Sequence, residues 1–408
     1  MPQIPELVAP AGTPEKLKVA LHYGADAVYC GLKQYSMRAF AGNFSFDQME
    51  WALQYAHQRN RKVYVTVNVL ATEEDLPGLA VALAKLQQLR PDGIVVGDAG
   101  VVALARKHAP KIPLHLSTQL SVTQHAAANF WFGQGIKRIV VARELTIEQL
   151  TKLVGGATGA IECFIHGAVC IAYSGRCLLS LYWANRDPRV GACAQGCRWQ
   201  YRELEDTRRP GLPNRVEEDE RGTYFFDAKD LCALPVLDRL VATGVKALKI
   251  EGRTRSEHYL AVVTDVYRNA LDVLAMGDQD RFQARQGEWL AELKRPVQRG
   301  FSTHFLAGGE PGPEAYNPEG SQLSGRNDYR GKIVAVTPEH VDVLVRYPFA
   351  AGDSLELRDA GLVTIPVTMP SLLTTAGEPV GLARPNDVVR IPGQYAVSPG
   401  ALLRIAKT

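Results

Sequence analysis

The sequence lacks the features that define several common classes of protein. No stretch approaches the roughly 18 consecutive apolar residues of a membrane span, and the opening MPQIPELVAPAG has no basic segment followed by an apolar run. We therefore expect a cytoplasmic protein that does not enter a membrane. The motifs GxSxG, HExxH and GxxxxGKS/T are also missing, which argues against a nucleophile-elbow hydrolase, a helix-borne zinc protease and a P-loop nucleotidase.

Strong net charge is missing as well. The formal charge is +3 at pH 7, so a polyanionic partner would have to be held by a local patch rather than by the field of the whole protein. Charge alone neither implies nor excludes RNA as a partner. Hydrophobic residues make up 46% and charged residues 22% of the 408 residues, a composition that supports a large globular core.

A strand-like run followed by a turn and an amphipathic helical stretch recurs along the first two thirds of the chain. Eight parallel strands alternating with helices close into a (β/α)8, or TIM-like, barrel. An open doubly wound sheet is the alternative. The eight predicted strands are Glu6–Ala9, Ala27–Gly31, Lys62–Val69, Gly93–Gly97, Leu114–Thr118, Arg138–Ala142, Ile161–Ile165 and Ala247–Ile250.

The alternation is interrupted after the seventh strand and changes near the end. We predict a barrel over residues 1–275 with a cysteine-rich insertion at 166–226, and a helical extension with a Gly/Pro linker over 276–325. Residues 326–408 alternate with period two and predict a small all-β domain, either a barrel or a sandwich. An insertion after a barrel strand lies on the face where barrel enzymes carry their active sites.

Five of the seven cysteines fall between residues 163 and 197. Cys170, Cys177, Cys193 and Cys197 follow the spacing CX6C, fifteen residues, CX3C, and four thiolates in glycine-rich loops can hold an iron–sulfur cluster. Zinc is the competing metal, and buried apolar cysteines are the simplest alternative. Cys232 is an alternative fourth ligand.

Two further cysteines lie in predicted strands. Cys163 falls within strand 7, where burial explains it. Cys30 lies at the end of strand 2, where burial explains it equally well, although its side chain is expected to point toward the functional rim.

The carboxyl ends of the strands nominate the remaining site residues. Guanidinium groups can bind carboxylates or phosphates in a bidentate manner, so the arginines are candidate substrate ligands. The alternative for these arginines is an ordinary Arg–Glu ion pair at the rim, Arg143 with Glu144 or Glu251 with Arg253. His166 is a candidate proton donor, although a lone histidine is often only a hydrogen-bonding residue. The strand ends and the turns that follow them carry Asn68, Asp98, Ser117, Gln119, Arg143, Glu144, His166, Lys249, Glu251, Arg253 and Arg255.

Several blocks resemble the U32 family, historically called collagenase-like peptidases. The signature runs from Glu162 through HGAVCIAYSGRCLLS, and GACAQGCRW follows around Cys193. These two blocks are most similar to the branch that hydroxylates tRNA uridine. Further matching blocks are ELVAPAGT from Glu6, GADAVYCG from Gly24, HLSTQ from His115, KIEGRTRS from Lys249 and RGFSTHFL from Arg299.

The resemblance implies an oxygen-independent hydroxylase that holds a [4Fe-4S] cluster and uses prephenate to make 5-hydroxyuridine at the wobble position of tRNA. It implies Cys170, Cys177 and Cys193 as cluster ligands. Cys197 would be the fourth ligand in the RNA-modifying branch, whereas relatives that hydroxylate a ubiquinone precursor place their fourth ligand later, which keeps Cys232 as an alternative.

Further roles follow from that chemistry as expectations. His166, Glu251 and Arg253 are the expected catalytic residues. The side chains expected to bind the substrate, including the two carboxylates of prephenate, are Arg143, Gln119, Lys249 and Arg255.

One block departs from the family. The sequence has Phe226-Asp227-Ala228-Lys229-Asp230 where members commonly carry Asn-Ser-Lys-Asp, so the role of the Asn-Ser pair is open here. A peptidase and a non-catalytic metal-binding scaffold are the alternative functions, and a partner subunit is left open. Basic residues early in the β-domain, Lys332 and Arg346 among them, are candidate tRNA phosphate contacts.

Overall fold

The protein is described from a computed structural model. The structure describes residues 4–37, 42–170, 172, 177–184, 186–187, 192–194, 217–219, 222–224, 228–308, 315, 328–367 and 371–406. The elements of the first three quarters of the chain are β1 (Glu6–Pro10), α1 (Pro14–His22), β2 (Ala27–Gly31), α2 (Phe46–His57), β3 (Lys62–Val67), α3 (Leu76–Leu89), β4 (Gly93–Val96), α4 (Ala99–His108), β5 (Leu114–Leu116), α5 (His125–Gly133), β6 (Ile136–Val140), α6 (Ile147–Gly156), β7 (Ala160–Gly167), α7 (Leu179–Ala184), β8 (Glu217–Asp219), β9 (Gly222–Tyr224), β10 (Asp230–Cys232), α8 (Leu237–Ala242), β11 (Ala247–Ile250), α9 (Glu257–Ala275), α10 (Gln279–Leu293) and β12 (Phe301–Ser302).

Strands β1 to β7 and β11 form a closed parallel barrel. Each strand pairs with the next one in the chain, and β11 pairs in parallel with both β7 and β1. This closure confirms the predicted (β/α)8 barrel and excludes the open sheet. The strand bounds agree with the prediction to within about two residues at each end; β6, for example, covers Ile136–Val140.

The helices begin where the sequence supplies capping side chains. The Thr13 hydroxyl accepts a hydrogen bond from the Lys16 amide, and Pro14 occupies the first turn of α1. Ser45 with Gln48 and Thr146 with Gln149 form capping boxes at α2 and α6. The described residues contain no helix with the length and apolar character needed to cross a membrane.

The barrel departs from its repeat after β7. Strand β10 pairs antiparallel with the end of β7, with Cys232 opposite His166, and β12 then pairs with β10. The predicted insertion 166–226 falls largely outside the described residues. Strand β7 itself extends to Gly167, whose φ of +103° and close approach to the Glu251 carbonyl require a glycine.

The C-terminal part is all β, as predicted. Its main sheet has seven strands that pair antiparallel, with a separate two-stranded ribbon and its own apolar core around Val343, Leu357 and Ile391. The strands are β13 (Tyr329–Val336), β14 (His340–Val345), β15 (Phe349–Ala350), β16 (Leu355–Asp359), β17 (Val363–Val367), β18 (Leu373–Thr374), β19 (Leu382–Ala383), β20 (Val388–Pro392) and β21 (Leu402–Ile405).

Buried ion pairs join this β-domain to helices α9 and α10. Arg358 contacts Asp265 at 2.6 Å, and Arg404 contacts Glu292 at 2.8 Å, with both arginines 1% exposed. Lys332, a candidate RNA contact, instead lies 2.9 Å from Glu257 of α9. Arg346 lies 3.8 Å from the same carboxylate, so both cations contribute to the seam between the two parts.

Candidate functional site

Three of the predicted cluster cysteines lie together after β7. Cys170 and Cys193 are exposed and Cys177 is partly exposed. Burial raises the pKa of the Cys177 thiol, the Leu179 amide lowers it, and the charges of Cys170 and Cys193 raise it further. Cys170 and Cys193 therefore both act electrostatically on Cys177. Cys197 lies outside the described residues.

Cys232 faces a different environment from the cysteines of the loop. It is 2% exposed, and its sulfur lies 3.8 Å from the Tyr267 hydroxyl of α9. Burial raises its pKa to about 11, with smaller opposing effects of the Leu234 amide, Tyr267 and Lys294. The thiol therefore faces α9 and α10. Among the described residues, no group of three or more His, Cys, Asp or Glu is arranged to hold a single metal ion.

The other two cysteines pack in the core. Cys163 is buried, as expected, and its burial raises its pKa. The expectation that Cys30 points toward the rim is wrong: its sulfur lies 3.8 Å from the Met49 sulfur in α2. The side chains of a strand alternate in direction, and this position faces the helical layer while its neighbour Tyr29 faces the barrel interior.

Arg143 follows β6 and reaches the start of the cysteine loop. Its guanidinium donates to the Ala168 carbonyl at 2.7 Å and lies 4.1 Å from the centre of the Phe164 ring. Among the described residues, the buried Nε atom of Arg143 has no hydrogen-bond partner, nor has Oε2 of Glu144. The expected Arg143–Glu144 pair is therefore replaced by contacts with β7 and its loop, two residues before Cys170.

Arg253 lies at the mouth of the barrel after β11 and is 3% exposed. Its guanidinium donates to the hydroxyls of Ser36 at 2.8 Å and Thr66 at 3.1 Å. A Cβ on Gly31 would lie 2.4 Å from the same guanidinium, so a glycine at the end of β2 leaves room for Arg253. The end of β2, the loop that follows it and the end of β3 therefore hold Arg253 in place.

A column of polar groups runs up the inside of the barrel. Lys249 is 5% exposed, and its ammonium lies 2.8 Å from Glu162 and 4.3 Å from the centre of the Tyr29 ring. The Tyr29 hydroxyl donates to the Glu251 carboxylate at 2.9 Å. Despite burial, Lys249 and Arg138 hold the pKa of Glu162 at about 2. The Glu162–Lys249 pair inside the barrel is thus linked through Tyr29 to Glu251 at the mouth.

Arg255 is anchored by a buried carboxylate. Its guanidinium donates to Asp230 at 2.7 Å, and Asp230 is fully buried. Arg299 lies 3.7 Å from the other oxygen of Asp230. Asp230 begins β10, so the departure from barrel topology after β7 places a carboxylate between two arginines.

His166 lies between β7 and helix α9. It is 1% exposed and is surrounded by the rings of Tyr259, Tyr267 and Phe301, with Nδ1 3.3 Å from the Tyr267 hydroxyl. Burial, with a smaller effect of Arg255, lowers its pKa to about 3. The imidazole is therefore neutral near pH 7, and its role in proton transfer stays a prediction.

Gln119 belongs to a hydrogen-bonded group at the ends of β3 and β5. Its side-chain oxygen accepts hydrogen bonds from Asn68 at 2.8 Å and from the Ser117 hydroxyl at 2.9 Å. Asp98 serves another purpose, because its carboxylate caps α4 by accepting from the Val101 amide. Of these strand-end residues, Gln119, Asn68 and Ser117 are brought together and Asp98 acts as a helix cap.

The sequence analysis missed the roles of Tyr29 and Asp230. Tyr29 could have been found from its period-two position beside Cys30, since one of the two must face inward. Asp230 could not, because the strand that carries it pairs antiparallel with β7, which the barrel pattern does not predict.

The family model for peptidase family U32 matches residues 12–315. Three similar curated proteins carry names that refer to RNA. Over 99% of this chain and 95% of its own length, tRNA hydroxylation protein P1 of Bacillus subtilis is 34% identical. A tRNA hydroxylation protein P of Helicobacter pylori is 39% identical over 74% of this chain and 71% of its own length. The 23S rRNA 5-hydroxycytidine C2501 synthase of Escherichia coli is 31% identical over 86% of this chain and 52% of its own length.

Proposed function

The chain belongs to peptidase family U32, and from that premise we propose that it is an RNA hydroxylase that uses prephenate to form 5-hydroxyuridine at the wobble position of tRNA without oxygen. The names of its relatives support hydroxylation of RNA as the reaction class. The uridine, the wobble position and prephenate are the finer parts of this proposal.

The observation that carries the proposal is that three cysteines with exposed or partly exposed side chains, Cys170, Cys177 and Cys193, follow the carboxyl end of β7, and that Cys170 and Cys193 both raise the pKa of Cys177. Thiolates are the soft ligands that a [4Fe-4S] cluster takes, one for each iron, so these cysteines supply the donor chemistry that the proposal requires. Cys197 is the proposed fourth ligand, because the Cys232 thiol faces the tyrosine on α9. When bound, the cluster would supply one-electron redox chemistry at the catalytic face.

The arginines near the mouth suit a small dianion. Arg143 lies next to the cysteine loop, and Arg255 is oriented by Asp230. Prephenate carries two carboxylates, which guanidinium groups can bind as bidentate partners. We propose that Arg143, Arg253 and Arg255 bind these carboxylates.

Other residues of the site receive separate roles. Gln119 and Lys249 shape the remainder of the pocket, and the Glu251 carboxylate, held by Tyr29, is the proposed proton acceptor. His166 supports the end of β7 through its ring contacts.

Metal analysis tests the cluster. We expect anaerobically purified protein to be brown, with iron and sulfide in equal amounts and broad visible absorption. Cys197→Ala should lose this absorption and Cys232→Ala should keep it. A colourless protein that contains zinc would contradict the cluster, and loss of colour only in Cys232→Ala would reassign the fourth ligand.

Substrate assays test the reaction. Calorimetry should detect binding of prephenate to the wild type, and Arg253→Ala should weaken it. Mass spectrometry of nucleosides from a tRNA substrate should show 5-hydroxyuridine only when prephenate is supplied. Cleavage of gelatin by the pure protein, without RNA hydroxylation, would favour the peptidase alternative. Absence of both activities and of prephenate binding would favour a scaffold.

A further inference from the structure

A concavity lined by three cationic side chains lies at the opposite end of the barrel from the cysteine loop. A cavity of about 380 Å³ opens where α4 ends and where β5 and β6 begin, and Arg106, Lys111 and Lys137 line it. These elements meet at the amino ends of the strands, whereas the cysteines follow the carboxyl end of β7. The volume falls within the range of small-ligand sites.

The charged side chains that line this cavity are all positive. Its remaining lining consists of alanine, glycine, proline, isoleucine and leucine, and no Asp or Glu lines it. Within the described part of the chain, none of the three cationic side chains forms an ion pair or a side-chain hydrogen bond. Elsewhere on the barrel, buried or half-buried cations such as Arg138, Lys249 and Arg255 are paired with carboxylates.

The helix dipole accounts for only part of this arrangement. Cations in the last turn of a helix are favoured by the partial negative charge there, which explains Arg106 in α4. Lys111 lies in the following loop and Lys137 in β6, where no helix end favours them. Three segments of the chain therefore converge with their cations around one concavity.

We propose that this cavity binds a phosphate group of an anionic ligand, separately from the catalytic face. Three unpaired cations can neutralise a phosphate dianion, and their exposure leaves them accessible. The phosphate could come from an RNA backbone or from a free phosphate ester. The RNA source rests on the proposed function, and we favour it because α5, the helix that precedes Gly135 of the cavity wall, carries an exposed ring at Phe130 (61%), and exposed aromatic rings can stack on bases.

The test compares two triple variants that each remove one arginine and two lysines. The site variant is Arg106→Gln/Lys111→Gln/Lys137→Gln. The control is Lys107→Gln/Lys152→Gln/Arg384→Gln, three exposed cations outside the lining. The probes are inorganic pyrophosphate, measured by calorimetry, and an unmodified tRNA transcript, measured by fluorescence anisotropy over a series of salt concentrations.

We expect pyrophosphate binding by the wild type and the control, and its loss in the site variant. If RNA is the source, the site variant should also bind the transcript about tenfold or more weakly, with the slope of log K against log salt reduced by about two. Unchanged transcript binding together with lost pyrophosphate binding would identify a free phosphate ester. Equal behaviour of both triple variants with both probes would overturn the proposal, and because binding is the readout, this result is independent of hydroxylation.

Discussion

Two sets of buried ion pairs in this protein resemble each other in chemistry but differ in what they connect. Inside the barrel, Glu162 lies between Lys249 at 2.8 Å and Arg138 at 3.2 Å. At the seam between the barrel and the β-domain, Arg358 contacts Asp265 at 2.6 Å. All four charged groups of the tightest pairs are nearly inaccessible to water.

The difference lies in where each set of contacts leads. The barrel set continues through Tyr29 to Glu251 at the mouth, so it couples stability to the geometry of the candidate site. The seam set ends in β16 and in the backbone amides of Gly361 and Leu362. Buried charge therefore organises the site in one region and fixes a second domain in the other.

Of the variants that test this comparison, Glu162→Gln should lower the free energy of unfolding the most. Removing the carboxylate leaves Lys249 buried without its counter-charge, and breaking such pairs destabilises proteins by about 3–5 kcal/mol. Urea denaturation should show this loss, and prephenate binding should weaken as well. Glu162→Gln/Lys249→Met removes both charges and should recover part of the stability; a single variant as stable as the wild type would contradict the role of the pair.

Arg358→Met should destabilise the seam by about 3 kcal/mol, with prephenate affinity unchanged. The matched control is Arg390→Met, which breaks a partly exposed pair with Asp342 in the same domain and should change the free energy of unfolding by less than about 1 kcal/mol. Chemical denaturation and calorimetry measure the two quantities. A loss of prephenate affinity equal to that of Glu162→Gln would remove the distinction between the two regions.

Buried histidines should make both regions sensitive to acid. Burial lowers the pKa of His115 in the barrel and of His258 at the seam from 6.5 to about 3. The unfolded chain binds these protons below pH 6.5 and the folded chain does not, so stability is full above pH 6.5 and falls as the pH falls toward 3.

Each histidine should contribute up to about 1.4 kcal/mol per pH unit to this slope. His115→Gln and His258→Gln should each reduce the slope of unfolding free energy between pH 6.5 and 5, measured by urea denaturation at several pH values. Slopes identical to the wild type in both variants would show that these side chains are not the source.

Tyr29→Phe should have the smallest effect on stability and a specific effect on the site. It removes the hydrogen bonds to Glu251 and the Ile250 carbonyl, which is expected to lower stability by about 1 kcal/mol, while the ring still faces Lys249. Hydroxylation should fall more than prephenate affinity, because Glu251 loses its orientation. The pH profile of hydroxylation should shift also, which a purely structural role of Tyr29 would not produce.

Much of the barrel could be predicted from sequence because each strand and helix carries its own local pattern. Capping residues such as Thr13 and Ser45 mark where the helices begin, and short apolar runs mark the strands. For the candidate site, the sequence predicted which residues lie at the strand ends but not which way their side chains point. Whether a strand-end side chain enters the mouth or the helical layer depends on register and on neighbouring elements, which is why the expected direction of Cys30 was wrong.

The sequence by itself determined the eight alternating strands and helices, the all-β C-terminal part and the clustering of cysteines after β7, since these follow from periodicity and spacing along the chain. Only the tertiary structure decided which side chains contact one another. The antiparallel β10 strand brings Asp230 between Arg255 and Arg299 and turns Cys232 toward Tyr267, and closure of the barrel brings Glu162 to Lys249. Those contacts join residues tens of positions apart, and no local pattern in the sequence encodes such distances.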